Sequence, residues 1–117
     1  MMDPKELTKT AVKAIEEKKG ENIKIIDIRK VSVLADYFII ADGTNASQVQ
    51  AMADNVEETL AKAGCPCRQI EGYRTANWIL MDYGDIIVHV FSKEDRLFYD
   101  LERIWRDGIM IDRPENL

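Results

Sequence analysis

Asp82, Asp85 and His89 are the side chains whose types would matter most for chemistry in this sequence, and they fall within one stretch, WILMDYGDIIVHVF at 78–91. Paired carboxylates can hold a divalent cation or share acid–base work, and an imidazole beside them can shuttle a proton. The spacing argues against that use. Gly84-Asp85, set between two β-rich runs, is a two-residue hairpin turn, because glycine takes the positive φ that primed turns demand. Asp82 and Asp85 therefore straddle a turn instead of standing together on a strand, and the single histidine has neither a nucleophile nor a ligand set beside it. His89 is expected to be a structural or interface residue. Cys65 and Cys67 flank Pro66. A bridge between such near neighbours would be strained, and with one distant histidine they supply too few ligands for a metal, so two reduced loop thiols and no cofactor are expected.

The turn also fixes a register. With Tyr83 opposite Ile86, the pairs run Asp82 with Ile87, Met81 with Val88, Leu80 with His89, Ile79 with Val90 and Trp78 with Phe91. Alternation then places Ile79, Met81, Tyr83, Ile86, Val88 and Val90 on one face and Trp78, Leu80, Asp82, Ile87, His89 and Phe91 on the other. The first set is core. The second mixes large aromatics and aliphatics with a carboxylate and an imidazole, which suits an interface better than a sealed interior. The plainer alternative for Trp78 and Leu80 is a covering helix, and for Asp82 it is hydrogen bonding to the turn's own backbone.

The elements that position this hairpin follow from caps and periodicity. Asp3-Pro4-Lys5-Glu6 opens a helix with Leu7, Ala11, Ala14 and Ile15 on one stripe, ended by Gly20. Ile23 to Arg29 reads as a strand and Tyr37 to Ala41 as a second, buried one. Asn45 and Gln48 form a capping box for a helix carrying Val49, Met52, Ala53, Val56, Leu60 and Ala63, stopped by Gly64. A short strand at Arg68–Glu71, a polar loop from Gly72 to Asn77 and the hairpin come next. Ser92-Lys93-Glu94-Asp95 caps a final helix with Leu97, Leu101, Ile104 and Trp105 inward, and 107–117 reads as an irregular tail, leaving a core of about 3–106. The order αββαβββα predicts a single α/β domain with a mixed sheet of about five strands, helices mainly on one face and the opposite face partly bare.

Composition narrows the function classes. The 117 residues suffice for one ordinary core, and 46% hydrophobic with 32% charged residues is a soluble globular balance with no apolar run of membrane-spanning length. The start, MMDPKELTK, has neither an apolar signal segment nor the composition of a transit peptide, so a cytoplasmic location is expected. Net charge is −5, and residues 31–117 hold eight Lys/Arg against fifteen Asp/Glu. Acidic excess thus travels with the hairpin, which favours a basic protein partner over naked nucleic acid.

The segments DYFIIADGT at 36–44, QVQAMAD at 48–54, EGYRTANWILMDYGDIIVHVF at 71–91 and RLFYDLERIW at 96–105, in this order and spacing, resemble the ribosomal silencing factors (RsfS, Iojap-related). Where relatives commonly read Ser-Gly-Thr-Ser and then Arg-Gln, this chain has Asp42-Gly43-Thr44-Asn45 and then Ala46-Ser47-Gln48. The resemblance implies a non-enzymatic translation factor with a nucleotidyltransferase-like topology that lacks the catalytic site. It implies binding to a protein of the large ribosomal subunit, number fourteen in that subunit's naming, at the subunit-joining face, with little direct rRNA contact and with homodimers when free. Joining is blocked and translation repressed when nutrients are limiting. Partner-binding residues are expected at Trp78, Leu80, Asp82, His89 and Phe91, with Arg96 and Tyr99 as further candidates on the final helix. The alternatives are a large-subunit assembly or quality-control adaptor using the same surface and, from fold analogy, a nucleotidyltransferase-type enzyme. The latter would need carboxylates together on a strand beside a Gly-Ser phosphate turn, a pattern the sequence does not carry.

Overall fold

Pro4 can open a helix because its missing N–H is unneeded there, and Asp3 caps it by accepting the Glu6 amide at 2.9 Å. A computed structural model, describing residues 3–30, 32, 33, 35–93, 109–111 and 117, shows this helix as α1, Pro4–Glu17. Strands β1, Glu21–Asp27, and β2, Tyr37–Gly43, follow. Helix α2, Ala46–Lys62, begins at Asn45, whose side chain accepts the Gln48 amide at 2.8 Å. Gln48 reaches back not to Asn45 but to the amide of Thr44, and its amide group donates to the carbonyls of Lys18 and Lys19 beyond α1. One side chain thus ties the end of α1 to the start of α2. Strands β3, Gln69–Glu71, β4, Trp78–Asp82, β5, Ile86–Ser92, and β6, Ile109–Ile111, complete the described elements.

The sheet runs β3-β4-β5-β2-β1-β6, with β2 and β5 parallel and every other neighbouring pair antiparallel. The parallel pair requires a crossover, and α2 lies within it. The expected hairpin register holds at every position from Trp78 opposite Phe91 to Asp82 opposite Ile87. Gly84 carries the turn with φ +85° while Asp85 keeps a negative φ, the II′ pattern.

One point departs from the sequence reading. Residues 109–111, placed there in an irregular tail, form β6 and pair with Ile25, Ile26 and Asp27 of β1. The sheet therefore has six strands, because the outer edge of β1 offers backbone partners that local sequence cannot reveal. The face opposite the helices is bare only in part, as expected, its open portion being the outer side of β4. Tyr37, Ile39, Val88, Val90, Ile79 and Met81 pack with the apolar stripes of α1 and α2 in one cluster, but Ile26, Ile28, Ala35, Phe38, Ile40 and Phe91 form a second, buried one. The whole of β2 is buried, as its unbroken apolar run requires of a strand covered on both sides. Asp42 is also buried and accepts the Asn22 side-chain amide at 3.0 Å. The final helix expected after Ser92 lies outside the described residues.

Candidate functional site: the outer face of strand β4

Strand β4 alternates half-buried and buried. Ile79 and Met81 are fully enclosed against the helices, and Trp78, Leu80 and Asp82 stand half-exposed on the other face. Antiparallel pairing brings Gln69 beside Asp82 and Glu71 beside Leu80. Both β3 residues are exposed, and the Gln69 side chain donates to the Glu71 carboxylate at 2.8 Å. Glu71 thus adds a second carboxylate to the patch. Its membership was hidden in the sequence, since a three-residue strand after a cysteine loop carries no register signal of its own.

Asp82 supports the turn: one carboxylate oxygen accepts the Gly84 amide at 2.7 Å. Its half-exposed position leaves the group reachable from solvent, so turn support and an ionic contact are compatible in one side chain.

His89 and Phe91 were expected on the same face, and their strand places them there, but both are buried, at 3% and 1% exposure. They lie beneath Trp78, not beside it at the surface. The indole stacks on Phe91 with centroids 5.3 Å apart at 23°, and its N–H donates to His89 Nδ1 at 3.0 Å. Phe38 meets the imidazole edge-on at 4.8 Å. His89 Nε2 is buried with no hydrogen-bond partner among the described residues. Burial among these rings pushes the imidazole's pKa down to about 4, so it is neutral near pH 7. Arg96 and Tyr99 lie outside the described residues.

The loop entering β4 is tightly held. Gly72 has φ +79°, and a Cβ there would run into the Trp78 carbonyl oxygen. Buried Ala76 takes φ +56° and donates its amide to Gly72 O at 3.0 Å. From α2, the Gln50 side chain donates to Tyr73 O at 2.9 Å, while the Tyr73 hydroxyl donates to Asp54 at 3.1 Å. Helix α2 thereby sets where the strand starts.

Cys65 and Cys67 are unbridged thiols between α2 and β3, and burial raises the Cys67 pKa. Among the described residues, no three His, Cys, Asp or Glu side chains converge as a metal site, and no helix is long and apolar enough to cross a membrane.

Fold and site together define a small α/β domain whose candidate site is an open, apolar and acidic strand face. The family model described as ribosomal silencing factor during starvation matches residues 1–116. A ribosomal silencing factor RsfS from Halalkalibacterium halodurans is 37% identical over 95% of this chain and 95% of its own length. A crystal structure of a Chromobacterium violaceum protein superimposes with a TM-score of 0.87 at 36% identity, covering 89% of this chain and 87% of that one. A more distant mouse relative, named mitochondrial assembly of ribosomal large subunit protein 1, is 27% identical over 80% of this chain and 42% of its own length. The chain belongs to the RsfS ribosomal silencing factor family.

Proposed function

We propose that this protein docks through the outer face of β4 on the large ribosomal subunit, at its protein number fourteen, and there keeps the small subunit from joining. The observation that carries the reading is the half-exposed row Trp78, Leu80 and Asp82, an aromatic anchor, an aliphatic neighbour and a carboxylate in line on one rigid strand. A buried-capable aromatic with flanking polar groups is the usual anatomy of an interface centre. Glu71 and a net charge of −5 favour a basic ribosomal protein and disfavour rRNA. The names of the bacterial relatives support silencing as the outcome, and with it a cytoplasmic, non-enzymatic repressor of translation.

Blocking needs only bulk. A body of 32 × 32 × 24 Å seated on the joining face prevents close approach of the other subunit without any conformational signal. A second reading, that the same contact serves subunit assembly, draws on the name of the mouse relative. Titrating the isolated partner protein with this chain tests the docking step. Saturable binding that weakens with salt supports it, and loss of that salt dependence in Asp82→Lys assigns the ionic contact. No binding to the partner protein alone or within the large subunit would refute it.

A further inference from the structure

An imidazole is an awkward occupant for the cluster beneath β4. His89 is 3% exposed among Phe38, Phe91 and Trp78, and its Nε2 finds no hydrogen-bond partner among the described residues. A tryptophan nitrogen can only donate, so the 3.0 Å contact makes His89 Nδ1 the acceptor and leaves the proton of the neutral ring on Nε2. That N–H is an orphan donor in an apolar setting, an arrangement that costs stability. A leucine or phenylalanine would fill the same space without the penalty. Stability alone therefore does not account for histidine here. What the imidazole supplies, and an apolar side chain cannot, is an acceptor facing Trp78 from the diagonal position of the next strand.

Trp78 is half-buried, so water could serve its N–H if the ring turned. The bond to His89 removes that freedom, and stacking on Phe91 fixes the tilt. We propose that His89 is a positioning residue that never meets the partner: its Nδ1 clamps the Trp78 indole and presents the ring in one docking-ready orientation. The proposal rests on the reading that Trp78 anchors the ribosomal partner. Preorganisation of this kind lowers the ordering cost of binding without adding a contact.

The test uses the full chain in a Trp105→Phe background, so that a single indole N–H signal reports Trp78. In the parent protein that proton should exchange slowly with solvent. His89→Leu should speed the exchange and weaken large-subunit binding about fivefold or more, the equivalent of one ordinary hydrogen bond. His89→Asn, whose Oδ1 lies where Nδ1 was, should restore slow exchange and most of the affinity. If the parent indole already exchanges freely, no clamp exists and the proposal falls, whatever the variants do. It also falls if His89→Leu frees the indole while binding stays unchanged and Trp78→Ala still weakens it. If Trp78→Ala itself leaves binding unchanged, the anchor reading has failed and the positioning role goes with it.

Discussion

Neighbours on β4 should respond in opposite ways to truncation. Trp78→Ala removes a half-exposed aromatic and is expected to weaken partner binding by about 2 kcal/mol, roughly thirtyfold, with a smaller loss of stability than Met81→Ala from uncovering Phe91 and unpairing His89 Nδ1. Met81→Ala opens a cavity in the fully buried cluster and should cost about 2–5 kcal/mol of stability. Its folded fraction should bind normally. Denaturant titration with binding on the same samples separates the two, and equal unfolding by both would contradict the assignment of faces. His89 makes a separate prediction. Its folded pKa of about 4 lies below the ordinary 6.5, so the unfolded chain binds the extra proton first as pH falls. Stability should thus drop by about 3 kcal/mol between roughly pH 6.5 and 4, a slope absent in His89→Asn and measurable by denaturation across that range. Below that range the loss passes to Asp27, whose carboxyl the Arg29 hydrogen bonds hold under its ordinary value of 3.8. Alternation and the turn made the two faces legible from sequence. The burial of His89 and Phe91 was not, because it depends on Ile26, Phe38 and Ile40, strands away along the chain.

At the level of elements, the entry to β4 matters as much as the strand. Gly72→Ala would put a methyl group into the Trp78 carbonyl at a left-handed φ, so it should cost at least about 1–2 kcal/mol. It should also weaken partner binding beyond what unfolding explains, because the loop sets the position of the anchor. Thermal melting and binding of the same variant check both parts, and a Gly72→Ala protein as stable as the parent would show that the loop can shift. The helix starts, the hairpin register and the buried character of β2 were written in local sequence, as capping side chains, a turn glycine and an unbroken apolar run. Strand β6 was not, since three residues between Gly108 and Pro114 become a strand only by meeting Ile25, Ile26 and Asp27. Gln69 and Glu71 were missed for the same reason: their place on the candidate face is given by the partner strand.

For the whole molecule, charge and size matter most. Asp82, Glu71 and the half-exposed Trp78 and Leu80 lie on the face proposed to meet a basic partner, and the same apolar surface is proposed to pair two free copies. Light scattering over a dilution series should then show a concentration-dependent dimer that Trp78→Ala weakens, whereas a monomer at every concentration would remove that part of the proposal. Docking is proposed to prevent subunit joining, and sedimentation of purified small and large subunits with increasing amounts of the protein measures this. The protein should co-migrate with free large subunits while joined ribosomes decline, and Trp78→Ala should restore joining. Undiminished joining with the protein bound to the large subunit, or no co-migration with either subunit, would contradict it.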